Sequence, residues 1–337
     1  MSTMVTVLTE PVPRVHQGPI ASLVQFFEEV REVLGSVHDK AKCYGGHAAV
    51  TRSLLEGLTR IGVQYQYNPR FIAQVGDTIL VLAGIAPLKQ AIAWKRAGRI
   101  STLLAGPNIV VRPTDYDGLI AAPEIDACIV PSQWVGTAYV EDAPTLAGRI
   151  KVWAAGVDER YWNGLRQHAS SKTVLLYQKS APEELGLMCE RLIRSMGWSP
   201  VRVVYGRYTK DEYRKVLASS VFAVFLSRSE SQGLALAEAW AMNVPTLVWD
   251  PGELTFEGRR YSTVSACPYL TSETGLTWET VTELEDVLTH VDDVVISRAP
   301  RQWVLDHMTD EIAARNLLSM IETGHLTFHS PCQVGRW

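Results

Sequence analysis

The chain has 337 residues, 47% of them hydrophobic and 20% charged, with 32 Lys and Arg against 36 Asp and Glu for a net charge of -4. That length exceeds one small core and fits two domains of ordinary size, and the slight acidic balance excludes a general affinity for the nucleic-acid backbone. Cys43, Cys128, Cys189, Cys267 and Cys332 are scattered without CxxC or Cys/His spacing, which argues against a structural zinc site and for a reducing compartment.

No stretch approaches the roughly 20 apolar residues that a membrane span needs. Met1 to Gly18 has no apolar core and contains two prolines, so it does not read as a secretory signal and a cytoplasmic protein is expected. Residues 4 to 8 predict a short strand, and Ala21 to Leu34 a helix with apolar residues at helical spacing. Cys43-Tyr44-Gly45-Gly46-His47 leads into an amphipathic helix with Val50, Leu54, Leu55, Leu58 and Ile61 on one face and Gly62 as its stop. The glycine pair is either a tight turn or a close approach of backbone to a ligand.

From there strands and helices alternate. Asp77 to Leu82, Ser101 to Leu104, Cys128 to Val130 and Ile150 to Trp153 read as strands, with a helix over Pro87 to Arg99. The polar stretch Arg160 to Lys172 reads as a linker. A second series follows: strand Thr173 to Tyr177, helix Pro182 to Met196, strand Val201 to Tyr205, helix Lys210 to Ser219, strand Val221 to Leu226, helix Leu234 to Met242 and strand Thr246 to Trp249. Strands alternating with helices of this length indicate parallel sheets. The expected fold is α/β, with two Rossmann-like doubly wound domains facing across a cleft. The first would span 1–160 and the second 161–305, with a last helix from Asp310 to Ile321 and a tail in 306–337 that could pack back on the first domain. Ligands in such sheets sit beyond the carboxyl ends of the strands, which points to Gly84, Gly106-Pro107-Asn108 and Pro131-Ser132.

The stretch Glu230-Ser231-Gln232-Gly233 ends on a glycine at a helix start, where backbone N–H groups and the helix dipole favour an anion. Two carboxylates flank it, Glu230 in the loop and Glu238 about one turn into the helix. Such an arrangement suits an elongated ligand with hydroxyls at both ends and a diphosphate between, because carboxylates accept from hydroxyls. The bland alternative makes Glu238 a solvated helix residue.

Glu230 through Ala239 resembles the E-x7-E signature of family 4 retaining glycosyltransferases of the two-Rossmann-domain (GT-B) kind. Asn243-Val244-Pro245 resembles the turn that follows it there, and Gly45-Gly46, Pro131-Ser132-Gln133-Trp134 and Gly156-Val157-Asp158 agree in order. The resemblance spans roughly residues 40 to 320 and is specific only over 221 to 250. It implies transfer of a hexosyl or related group from a nucleotide-diphosphate sugar, without a metal or other cofactor, for polysaccharide or glycoconjugate synthesis. Glu230 would then contact the sugar hydroxyls, the amides of Gln232, Gly233 and Leu234 the sugar and phosphate, and Glu238 the ribose. Gly45 and Gly46 would contribute to the donor site. The family also places a basic pair by the diphosphate. Lys179 fits its first position and is assigned with Glu230 to catalysis, but Glu184 stands where the second cation would be, leaving Arg207 or Lys210 to supply it.

His47 and Asn108 are the acceptor-site candidates, the acceptor being a glycan, a lipid-linked glycan or a small molecule. Asp115-Tyr116-Asp117 matches a two-carboxylate metal motif literally, but it lies in a Pro-containing loop and no metal is predicted. The helix from Pro87 carries Lys89, Lys95, Arg96 and Arg99 with Trp94, which is either a solvated face with a packed ring or a weak peripheral contact with a membrane. A catalytically silent partner of another enzyme is the alternative function, favoured by Glu184. A nicotinamide-dependent dehydrogenase lacks support, since no G-x-G-x-x-G follows a strand.

Overall fold

The computed structural model describes residues 4–10, 46–164 and 172–323, with the side chains of Val294 and Ile296 left aside. The expected helix over Ala21 to Leu34, Gly45 and the tail lie outside the described residues, as does most of the expected linker. The chain forms two compact units, one of Met1–Val130 with Tyr139–Val152 and one of Pro131–Ala138 with Trp153–Trp337.

In the first unit, strands β1 (Val5–Leu8), β2 (Tyr65–Tyr67), β3 (Thr78–Ala83), β4 (Thr102–Asn108), β5 (Ala127–Val130) and β6 (Ile150–Val152) form one sheet in the order β2-β1-β3-β4-β5-β6. Every pairing is parallel. Strands covered on both faces read as unbroken apolar runs, and β3 is such a run: Ile79, Leu80, Val81 and Leu82 are fully buried. Helix α1 (Gly46–Arg60) buries Val50, Leu54 and Leu58, and α2 (Ile85–Arg96) follows β3 directly. The close β4–β5 approach requires glycine at 106, φ +121°, where a Cβ would lie 2.0 Å from the carbonyl oxygen of Ile129.

Helix α3 (Gln133–Asp142), which the sequence reading did not place, carries the chain from one unit to the other. The second unit then builds β7 (Thr173–Gln178), α4 (Glu183–Ser195), β8 (Ser199–Val204), α5 (Lys210–Ser219), β9 (Ser220–Leu226), α6 (Leu234–Ala241) and β10 (Thr246–Trp249). A hairpin of β11 (Leu254–Phe256) and β12 (Arg259–Tyr261) precedes β13 (Gly275–Trp278), and the parallel sheet runs β13-β10-β9-β7-β8. Helix α5 starts on a reciprocal capping box, the Thr209 side chain accepting from Glu212 N and the Glu212 carboxylate from Thr209 N. Four helices close the described chain: α7 (Val281–Thr289), α8 (Val291–Ile296), α9 (Pro300–His307) and α10 (Asp310–Thr323). Trp240 on α6 packs edge-on against Trp303 on α9 with ring centroids 5.4 Å apart. No described helix is long and apolar enough to cross a membrane.

Both sheets are doubly wound, and each has a point where the strand order reverses. In the first it lies between β1 and β3, in the second between β7 and β9. Loops diverge at such a point and leave a crevice beyond the carboxyl ends of the strands.

Candidate functional site

In the second unit the loops after β7 and β9 are tied to each other at the switch point. Ser180 Oγ lies 3.3 Å from Ser227 Oγ and accepts from the backbone N–H of Arg228 at 2.9 Å. This fixes Lys179 and Glu230, 51 residues apart in sequence, as neighbours: Lys179 Nζ donates to Glu230 Oε2 at 2.7 Å. The lysine side chain is 29% exposed and the glutamate 13%. The ammonium also sits 4.8 Å from the centroid of the Tyr205 ring. An ammonium has three N–H donors, so the ion pair leaves Lys179 further donor capacity.

The backbone around Glu230 is held on both sides. Its N–H donates to Ser265 O at 3.0 Å, and its carbonyl accepts from Trp134 Nε1 at 2.9 Å. The Ser265 loop is in turn organised by Asp250, whose carboxylate accepts from Ser265 Oγ at 3.2 Å and from Ala266 N at 3.1 Å. The Gln232 side chain turns inward, accepting from Ala155 N at 3.0 Å and donating to Ala155 O at 2.7 Å. Gly233, in the left-handed region at φ 83°, ψ 51°, opens α6, which has no side-chain cap and no acidic residue in its first turn. Leu234 is its first residue, so its early N–H groups form an anion-favouring helix end.

Glu238 lies on the same helix and is 5% exposed, which rules out the solvated-face alternative. Its charge adds to burial in holding the hydroxyls of Tyr208 and Tyr213 protonated well above the ordinary tyrosine range. Tyr161, pushed up to about 12, is raised first by burial and then by its hydrogen bond to Asp211, with Glu238 a smaller contributor. Tyr213 OH donates to Ala235 O at 2.8 Å, locking this aromatic group to the first turn of α6.

Of the expected second cations, Arg207 is exposed beyond β8, and Lys210 stands over the rings of Tyr161 and Trp162, 3.8 and 5.5 Å from their centroids. Glu184 is exposed on α4. The cation that sequence reasoning passed over is Arg228, whose guanidinium lies 5.5 Å from the centroid of Trp249. Its signal was position alone, in the loop two residues before Glu230.

In the first unit the switch point opens into a cavity of about 690 Å³ that brings His47 and Asn108 together with Glu10, Arg52, Tyr67 and Tyr116. Gly46 is the first residue of α1, one position before His47. Asp115 of the two-carboxylate motif is engaged with Arg112, accepting from its backbone N–H at 2.8 Å and from Nε at 3.3 Å. Among the described residues no group of three or more His, Cys, Asp or Glu is placed to hold a metal ion. On α2, Trp94 is buried at 8% exposure while Lys95 and Arg96 pair with Asp126 and Glu124 at 2.7 and 2.6 Å.

No protein-family model matches the sequence, and no curated protein matches it. Solved structures do. The sucrose-phosphate synthase of Thermosynechococcus elongatus superposes with a TM-score of 0.56 at 11% identity over 95% of this chain and 98% of that one. HepE of Anabaena, solved with UDP and glucose, gives 0.53 at 10% over 95% and 100%. TarM gives 0.51 at 12% over 73% of this chain, which spans 55% of the TarM chain. At these identities the likeness establishes the fold: two parallel-sheet α/β domains of the GT-B class, as the alternating pattern predicts. Lipopolysaccharide galactosyltransferase WaaB, at a TM-score of 0.55 and 8% identity, has the same fold.

Proposed function

We propose that the chain is a glycosyltransferase that binds a nucleotide-diphosphate sugar at the β7–β9 switch point of its second unit and transfers the sugar with retention, without a metal. The observation that carries the reading is the Lys179–Glu230 ion pair beside the uncapped start of α6. It sets a hydroxyl acceptor, a cation and a helix N-terminus around one crevice, as a sugar diphosphate requires. In the reaction the bond from the anomeric carbon to the diphosphate oxygen breaks as the acceptor oxygen bonds to that carbon on the same face. The acceptor proton passes to the departing phosphate. Lys179 and the first-turn amides of α6 stabilise the charge that develops there, Glu230 orients the sugar hydroxyls, and Glu238 takes the ribose. Arg228 or Arg207 completes the cation pair.

Slow hydrolysis of a panel of nucleotide-diphosphate sugars tests this without knowledge of the acceptor. Glu230→Ala and Lys179→Ala are each expected to lower hydrolysis by about 100-fold or more, with unchanged circular dichroism. Turnover like that of the parent protein in both variants sinks the assignment. A second reading, a silent partner of another enzyme, is favoured by Glu184 at the position of the missing cation. Calorimetric titration with nucleoside diphosphates separates the two, because a silent scaffold need bind none of them.

A further inference from the structure

The cavity of the first unit lies where the start of α2 meets the carboxyl ends of β1, β3 and β4. A helix start beyond a switch-point strand is a natural seat for a phosphate or carboxylate. Here that seat is filled from within the chain. Ala86 N–H donates to Glu10 Oε1 at 3.3 Å, and Gly84, φ +97°, makes room, since a Cβ there would fall 2.3 Å from Glu10 Cγ. An anionic ligand group would meet a carboxylate at the place where it would otherwise gain most. Glu10 keeps most of its capacity to accept from hydroxyls, because a carboxylate offers about four lone-pair sites.

Asn108, on the cavity wall at the end of β4, has its Nδ2 buried with no hydrogen-bond partner among the described residues. A buried donor left unpaired is costly unless a ligand completes it. Two tyrosine rings complete the wall. Tyr67 is 43% exposed, its hydroxyl fixed by Thr9 Oγ1 at 2.9 Å. Tyr116 is 61% exposed and sits in the left-handed region at φ 54°, followed by Asp117 at φ 58°. Consecutive non-glycine residues of this conformation are strained and persist where their surroundings hold them, characteristically at ligand sites. The Arg112–Asp115 contacts supply that hold, and the turn keeps an aromatic ring out at the cavity wall.

We propose that this cavity binds a neutral saccharide, with Glu10 accepting from and Asn108 donating to its hydroxyls and the rings of Tyr67 and Tyr116 covering its C–H faces. An aromatic face is electron-rich and attracts polarised C–H groups; with Arg52 on the same wall offsetting the charge of Glu10, donor, acceptor and ring faces together match a polyhydroxylated ring without net charge. That the saccharide is the acceptor rests on the glycosyltransferase reading above; that it binds here does not.

The test is calorimetric or saturation-transfer titration of the full chain, free of nucleotide, with neutral mono-, di- and trisaccharides and with sugar phosphates and uronic acids of matched size. At least one neutral saccharide is expected to bind more tightly than every anionic counterpart. Tyr116→Ala and Asn108→Ala should each weaken it about tenfold, while Tyr116→Phe, which keeps the ring face, should not. Tighter binding of the anionic sugars, no saccharide binding at all, or binding unmoved by Tyr116→Ala and Asn108→Ala each overturns the inference. Saccharide binding that follows the variants in a protein that binds no nucleoside diphosphate upholds the inference and removes the transferase reading instead.

Discussion

The motif resemblance assigns Glu230 and Lys179 to catalysis and Gln232 to donor binding, and the structure distinguishes their side chains sharply. Lys179 and Glu230 meet at 2.7 Å because β7 and β9 are sheet neighbours, a fact of topology that residue spacing does not contain. Gln232 is different. Its side chain pairs with both backbone groups of Ala155, 77 residues away, and is only 6% exposed. What remains available at this position is the backbone, which is what the motif resemblance assigns to the donor. Gln232→Ala would leave the Ala155 N–H and carbonyl buried and unpaired, each worth about 1–3 kcal/mol. A loss of about 3 kcal/mol of unfolding free energy is therefore expected in urea titration. Gln232→Glu should also destabilise, since a carboxylate would face the Ala155 carbonyl oxygen in place of a donor. Near-parental stability in both variants would show the pairing to be dispensable. Arg228 escaped the sequence reading for the opposite reason: a lone, half-buried arginine in a loop carries no pattern until Trp249 is known to lie beneath it.

At the scale of elements, the strands and helices that alternate strongly were legible within a few residues, because unbroken apolar runs such as β3 and amphipathic stretches such as α1 encode burial directly. Two of the elements missed have weak local signals. Helix α3 reads QWVGTAYVED, with Gly136 and β-branched residues that favour no helix by propensity. Strand β2 is three residues long. Gly156-Val157-Asp158, singled out from sequence only by its order, proves to be the anchor of the last described helix. Val157 N–H donates to Met308 O at 2.9 Å and bridges Thr309, and Trp153 Nε1 donates to Ala313 O at 2.8 Å. A Cβ at Gly156 would lie 2.4 Å from Thr309 O and 2.5 Å from Asp310 N, both backbone atoms with little freedom to move. Gly156→Ala is therefore expected to push α10 off this segment at a cost of about 1–3 kcal/mol. Limited proteolysis should then cut between Met308 and Asp310 earlier than in the parent protein, and an unchanged digestion pattern would refute the anchoring role.

For the whole molecule, the distribution of buried weak acids sets how it fails in base. Tyr161, Tyr177, Tyr208, Tyr213 and Tyr269 in the second unit all have raised pKa values, each chiefly through burial, whereas the first unit holds Tyr139. A tyrosine whose folded pKa exceeds its unfolded value of 10 contributes full stability below pH 10. That contribution is lost as pH rises toward the folded value, about 12 for Tyr161 and higher for the others. Among the described residues, five such groups in the second unit against one in the first predict that the second unit gives way first above pH 10. The cysteines provide a position-specific readout, since Cys128 in the first unit and Cys189 in the second are both buried and both pushed up to about 12 by burial. Pulsed alkylation followed by mass spectrometry should leave both unmodified at pH 8. As pH is stepped from 9 to 12, Cys189 should become reactive before Cys128, together with a rise in tyrosinate absorbance. Simultaneous labelling would mean that the two units unfold as one, and earlier labelling of Cys128 would reverse the assignment of the weaker unit.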